Sequence, residues 1–348
     1  MLCFVSLCYT LATATEAQAI QYSITDLGEY SATQLNNHGQ VVGSLGAGDP
    51  RDYYLWENGV WTDLHLSTAS FADKLTDGGK ILFNGLLAFP TVTTVWDTST
   101  GTSSGFPIVN LSKIREIDDA GNAVGSTKQA DEYHGIIYWN GVLQDLGPKA
   151  GANGFNPAGQ VVGYTEAESG EIHATLFENG SASDLGVLDG QSQSSAGDIN
   201  ENGVIIGVSR DPGWRAFAYR DGQMQDLGDL GGGEASPTDI NNHNQIVGTS
   251  LIANDGDKER IEYNRAFLHQ DGLMVDLNSL IDPALGWELR IAYAINDGGL
   301  ILGSGQLNGE RRSFLLTPVP EPSTYALGVL ALWGLVALPR MIRVRPCR

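Results

Sequence analysis

The stretch INENGVIIG, residues 199–207, followed seven residues later by RAFAYRDGQMQDLG, residues 215–228, decides how the whole chain reads. It alternates turn signals with short apolar runs. Asn200 to Gly203 reads as a turn, and Asp221-Gly222 falls between two apolar runs, where it favours a type I′ hairpin that matches strand twist. Runs such as VIIGVS and RAFAY are apolar on both faces, which a sheet with one wet face does not tolerate. Strands this short cannot bury both faces alone, so the unit needs neighbours of its own kind.

Those neighbours are in the chain. The turn phrase recurs as LNNHGQVVG (35–43), LTDGGKILF (75–83), IDDAGNAVG (117–125), FNPAGQVVG (155–163), INNHNQIVG (240–248) and INDGGLILG (295–303), making seven copies spaced by 40, 42, 38, 44, 41 and 55 residues. A period near 40 is what one four-stranded propeller blade requires. The second half recurs in step as DYYLWENGVWTDL (52–64), HGIIYWNGVLQDLG (134–147), HATLFENGSASDLG (173–186) and RAFLHQDGLMVDLN (265–278), with a degenerate copy over 93–103 that turns at Thr100-Gly101. Asn58-Gly59, Asn140-Gly141, Asn179-Gly180 and Asp271-Gly272 repeat the hairpin signal.

The expected fold is all-β, a β-propeller of about seven four-stranded blades. Residues 22–28 are an Asp-Leu-Gly strand with no unit before it, and residues 313–317 are an Ala-Phe-type strand with none after it. Pairing the two is expected to complete the last blade and close the ring, which removes exposed sheet edges.

The ends speak of export. Residues 1–19 run from an apolar stretch to Ala17-Gln18-Ala19, the pattern of a secretory signal cleaved after Ala19, although no Lys or Arg precedes Leu11. At the other end residues 324–338 carry no charge and are followed by Pro339, Arg340, Arg343, Arg345 and Arg348. That predicts a hydrophobic transmembrane helix over about 324–342 with its basic side in the cytoplasm and the repeats outside. The domain reading is a signal peptide at 1–19, a repeat propeller at 20–318 and a sorting segment at 319–348. Cys3, Cys8 and Cys347 all lie in the end segments, so the processed chain is expected to have no disulfide and no thiol chemistry. The net charge of −21 disfavours nucleic acid and anionic membrane surfaces as partners.

Pro320-Glu321-Pro322 stands directly before the apolar run, and this motif, a short apolar helix and a basic terminus in that order resemble the PEP-CTERM sorting signal. The resemblance implies an exported protein of a Gram-negative bacterium. It would be held in the inner membrane by the C-terminal helix until an exosortase-type membrane protease cuts near the motif, and would then reside at the cell surface or outside it. Such proteins are commonly linked to exopolysaccharide. The units over nearly all of residues 22–317 resemble the HAF repeat, carried here by His173-Ala174, Arg215-Ala216-Phe217 and Arg265-Ala266-Phe267. That resemblance implies a secreted or surface protein and defines no activity.

Asn36, Asn156, Asn200, Asn241 and Asn296 recur, as do Asp26, Asp63, Asp145, Asp184, Asp226 and Asp276. A residue needed once per blade is expected to cap a turn through an Asx hydrogen bond rather than to do chemistry. Ligand contact is expected where the repeat is broken: at Tyr53 and Tyr54, at Trp214, and at Trp287, Glu288 and Arg290 in an insertion over 278–292. Aromatic rings beside charges on loops suit sugar stacking. A second insertion over 252–264 carries Asn254, Asp255, Asp257 and Glu259, oxygen ligands a calcium ion could use, without the spacing of an EF-hand loop. Zinc is disfavoured, because His38, His134, His173 and His243 have no second ligand near them in sequence. The chain has no Gly-x-Ser-x-Gly, phosphate loop or dinucleotide fingerprint, so no catalytic residue and no organic cofactor are assigned.

Three functions follow. The first is a non-catalytic surface or matrix propeller that binds exopolysaccharide or a surface protein. Its rival is a polysaccharide hydrolase or lyase with carboxylates from different blades at the propeller mouth, which requires acidic residues outside the repeat phrase to meet at the axis. The third is a structural spacer that binds nothing.

Overall fold

The computed structural model describes residues 22–45, 51–68, 71–85, 93–106, 111–129, 132–167, 170–253 and 264–319. The signal segment with Ala19, the calcium candidates Asn254, Asp255, Asp257 and Glu259, and the sorting motif with its helix lie outside the described residues. Among the described residues no helix is long and apolar enough to cross a membrane.

Tyr22–Pro318 is one compact unit built of seven four-stranded antiparallel sheets. They are numbered here as blades 1 to 7, beginning with the first strands Ser31–Leu35, Phe71–Leu75, Leu111–Ile117, Ala150–Phe155, Gln193–Ile199, Gly231–Ile240 and Trp287–Ile295. Blade 5 shows the pattern: Gln193–Ile199, Ile205–Arg210, Trp214–Arg220 and Gln223–Asp226 pair in chain order. The hairpin residues dictate this. Asn58, Asn140, Asn179, Asp221 and Asp271 have φ between 49° and 54°, and each is followed by a glycine with φ between 76° and 88°. Positive φ at both central positions is the type I′ turn, which Asn-Gly and Asp-Gly adopt at least cost.

Blade 7 is completed from the other end of the chain. Tyr22–Gly28 pairs antiparallel with Glu310–Pro318, from Tyr22 opposite Pro318 to Gly28 opposite Ser313. The apolar core lies between blades, since each cluster draws on two neighbouring sheets. Val162 and Ala174 of blade 4 meet Phe217 of blade 5, and Ile206 and Ala216 of blade 5 meet Phe267 of blade 6. Phe217 and Phe267 are 0% exposed, and truncating either to Ala would cost roughly 3–5 kcal/mol.

The first strand of every blade carries a β-bulge at an equivalent place, immediately before residues 34, 74, 116, 154, 198, 239 and 294. A bulge bends a strand and re-aims the side chain beside it. It also explains the glycine that ends most copies of the turn phrase. A Cβ on Gly207 would lie 2.2 Å from the Ser195 carbonyl and 2.6 Å from Phe217 Cζ, so the second strand can follow the bulged one only without a side chain there.

The stretch 278–292, expected as an insertion, is loop only in part. Two short 3-10 helices, Leu277–Leu280 and Pro283–Leu285, are followed by the strand Trp287–Ile295. Trp287, Glu288 and Arg290 therefore stand on the first strand of blade 7. The Asn278 side chain holds that strand in place by accepting from Leu289 N at 2.7 Å and donating to Leu289 O at 2.9 Å.

Candidate functional site

The first strands of all seven blades end around one axial cavity of about 270 Å³. Bulge and turn together aim Lys74, Glu116, Asp198 and Asp239 into it, one from each of blades 2, 3, 5 and 6. Lys74 Nζ lies 2.5 Å from Glu116 Oε1, with the two side chains 38% and 15% exposed. Glu116 Oε2 accepts from Phe155 N of blade 4 at 3.1 Å. Asp239 accepts from Ile240 N at 3.0 Å and, through its other oxygen, from Ile295 N of blade 7 at 2.7 Å. Asp198 Oδ1 accepts from Ile199 N at 2.8 Å.

Burial, and after it the Asp198 charge, hold the Asp239 carboxyl well above the usual carboxylate range, and Asp239 also shares a side-chain hydrogen bond with Asp198. Burial raises Glu116 as well, while Lys74 pulls it back. For Lys74 burial works downward, but Glu116, with Asp198 and Asp239, carries the ammonium above its ordinary value. The cluster can therefore keep one carboxylic acid protonated beside a carboxylate, the arrangement from which acid–base chemistry starts. Yet both oxygens of Glu116 and both of Asp239 already accept from protein donors.

Sequence reading passed over these four residues. The signal was one place upstream of the repeat phrase, where Gln34, Lys74, Glu116, Gly154, Asp198, Asp239 and Ala294 differ from copy to copy. Their convergence is what the hydrolase reading requires.

The recurring asparagines do cap their turns. Asn200 Oδ1 accepts from Val204 N at 2.9 Å, and Asn241 Oδ1 from His243 N and Gln245 N at 3.0 Å each. Their amide nitrogens reach further, to the next blade. Asn36 Nδ2 donates to Thr76 O, Asn156 to Asn200 O, Asn200 to Asn241 O, Asn241 to Asn296 O and Asn296 to Asn36 O, all at 3.0–3.1 Å. The six recurring aspartates likewise accept from the backbone N–H two residues on, at 2.6–2.9 Å. Three also hold the basic residue that opens the neighbouring strand: Asp145 with His134, Asp184 with His173, and Asp226 with Arg215. Among the described residues no group of three or more His, Cys, Asp and Glu is placed to hold a metal ion.

The expected ligand contacts are spread over blades 1, 5 and 7 instead of forming one site. Tyr53 is 3% exposed and meets Phe83 edge-on at 4.9 Å, so it belongs to the core and offers a ligand no face. A strand apolar on both sides buries this position between blades. Tyr54 packs edge-on against Tyr30 at 5.1 Å, and Trp287 against Phe314 at 5.9 Å. Trp214 is 46% exposed, with the Arg210 guanidinium 5.7 Å from its ring. Glu288 bridges Arg265 at 2.8 Å and Arg290 at 2.9 Å.

No protein-family model and no curated protein matches the chain. Solved structures do. The β-propeller domain of the Trilobed protease from Pyrococcus furiosus is 9% identical, with a TM-score of 0.57 over 85% of this chain and 93% of that one. A puromycin-hydrolyzing peptidase of Mycobacterium tuberculosis is 11% identical, with a TM-score of 0.56 over 84% of this chain and 52% of its own. The acylaminoacyl peptidase of Pyrococcus horikoshii is 11% identical, with a TM-score of 0.55 over 86% of this chain and 53% of its own. The likeness is one of fold. The chain spans about half the length of the two peptidases, and identities this low say nothing of their activity here.

Proposed function

We propose that the chain is an exported propeller of the cell surface or extracellular matrix, a non-catalytic binding or structural protein associated with exopolysaccharide. An exosortase-type protease would sort it after cutting near Pro320-Glu321-Pro322. The observation that carries the non-catalytic part is the use made of the axial carboxylates. Glu116 and Asp239 hold backbone N–H groups of the next blade, so their first task is to tie the ring together. In the same reading the ladder between Tyr22–Gly28 and Glu310–Pro318 is the clasp that closes the circle. Export rests on the two ends of the sequence and on the resemblance of the tail. A polysaccharide array probed with the purified protein, with and without calcium, should show retention without turnover. In cells, Glu321→Ala should block processing of the tail.

A second reading has its own support. Burial and the neighbouring Asp198 hold the Asp239 carboxyl well above the usual carboxylate range in the axial cavity, the direction a general acid of a hydrolase or lyase would need. New reducing ends or unsaturated uronates released from a polysaccharide, and abolished in Asp239→Asn, would overturn the non-catalytic reading in its favour.

A further inference from the structure

Away from the axis, a cavity of about 430 Å³ opens at the seam of blades 7 and 1. It lies between the first strand of blade 7, the hairpin that joins Ile301–Leu307 to Glu310–Pro318, and the connection from Gly28 to Ser31 by which the chain enters blade 1. We propose that this seam binds a uronate, the carboxylated sugar of an acidic polysaccharide. The inference rests on the glycan-binding reading above and gives it a place and a ligand class.

Charge is the first argument. In a chain of net charge −21, Arg290, Arg311 and Arg312 line this cavity with Glu29 as the sole carboxylate among its lining residues. The three arginines are paired to different degrees. Glu288 serves two arginines at once, Arg265 through one oxygen and Arg290 through the other, and Glu310 takes Arg312 at 2.7 Å. Arg311 is exposed and makes no ion pair among the described residues. Asp26 and Glu29 also act on Arg312, so the positive charge left for an entering carboxylate is chiefly that of Arg311.

Donor supply is the second. A guanidinium has five N–H donors. Arg290 uses one nitrogen, Nη2, for both Glu288 and Gln306, and Arg312 uses Nη2 for Glu310. Nε of each is buried with no acceptor in the structure. Nη1 of Arg290 and Arg312 and the whole Arg311 fork are left to grip a carboxylate in the bidentate geometry that Arg favours.

The remaining walls suit a sugar better than a bare anion. Tyr293 and Ser304 hold their hydroxyls 2.8 Å apart, and Gln306 adds an amide, so ring hydroxyls find both donors and acceptors. The Tyr30 ring also lines the cavity, fixed by stacking on Trp61 at 4.1 Å and by a T-shaped contact with Tyr54. Aromatic faces of this kind accept the C–H side of a sugar. The volume falls within the roughly 300–1,000 Å³ common for small-ligand sites.

The test is calorimetric titration of the full chain with trigalacturonate, its methyl ester, a neutral glucan oligosaccharide and inorganic phosphate. Trigalacturonate should bind, more weakly as salt is raised, and the methyl ester should not. Arg311→Gln, chosen because the residue is exposed, should weaken binding roughly tenfold with its thermal unfolding unchanged, the loss of one charge-assisted contact. Arg312→Gln should do the same. Equal binding of acid and ester, or full affinity in both variants, overturns the proposal. So does phosphate competing on equal terms, which would make the seam a plain anion site. Glucan binding that ignores Arg311 overturns the seam while sparing the glycan reading, and failure of every sugar to bind overturns both.

Discussion

Five of the seven blade junctions are tied at the axis by a neutral amide, and two are tied by charge. From blade 4 round to blade 2, each turn asparagine donates to the main chain of the next blade. Blades 2 and 3 have Thr76 and Asp118 at that place. The Asp118 side chain has no N–H to give, and its carboxylate is occupied by Asn122 N and Nδ2 at 2.8 and 2.7 Å. Thr76 still crosses to blade 3, but its hydroxyl donates to the Asp119 carboxylate instead of to a main-chain carbonyl. At those same two junctions the axis carries the Lys74–Glu116 pair from blade 2 to blade 3 and the Glu116–Phe155 bond from blade 3 to blade 4. Lys113 with Asp73, at 2.9 Å, adds a second ion pair between blades 2 and 3. Where the repeat loses its asparagine, charged side chains at the bulge join the tie, and that arc depends on an ion pair that salt weakens.

The largest effect should come from cutting an amide tie. Asn241→Ala strands two part-buried turn N–H groups and the buried Asn296 carbonyl, and should lower the unfolding free energy in a urea titration by about 2–3 kcal/mol. A loss no greater than that of an exposed turn substitution would refute the staple.

Lys74→Met attacks the charged arc. It leaves Glu116 half-sheltered with no cation, and because Lys74 is itself partly exposed the loss should be about 2 kcal/mol, well short of that for a fully buried pair. Adding Glu116→Gln should restore most of it. If the double variant is no better than the single one, the pair is not the substitute for the staple.

The third test is pH. The folded chain binds the Asp239 proton more tightly than the unfolded chain does, so this group adds stability below the ordinary carboxylate range. That stability is lost as pH rises through the raised value. Urea midpoints should therefore decline over that interval in the parent and stay flatter in Asp239→Asn, which should be the more stable of the two at neutral pH. Superimposable profiles would count against a raised, shielded Asp239 carboxyl.

The smallest change belongs to the rim. Asp226→Asn removes the Arg215 ion pair but keeps the oxygen that caps Gly228 N, and should cost under about 1 kcal/mol and vanish in high salt. A larger loss would mean the rim pairs rival the axis.

The fold was legible because its signals are local and repeated. Asn-Gly and Asp-Gly turns, the recurring turn phrase and the two unpaired end strands each announce a neighbour in sequence or the lack of one. The seam cavity was half legible: Arg290 stood in a stretch expected to contact ligand, but nothing local in sequence sets Arg311 and Arg312 apart. The axial cluster was not read. Lys74, Glu116, Asp198 and Asp239 come from four copies, and each alone is a charged residue in front of a turn.

Period, turn chemistry and two-faced apolarity, all carried by residues close together in the chain, determined that this protein would be a ring of like sheets. Which side chains would face one another across that ring was decided only by tertiary structure. A bulge turns the residue beside it toward the centre, and setting the blades about one axis brings together groups from distant copies, so their shared hydrogen bonds and shifted pKa values exist only once the blades are assembled.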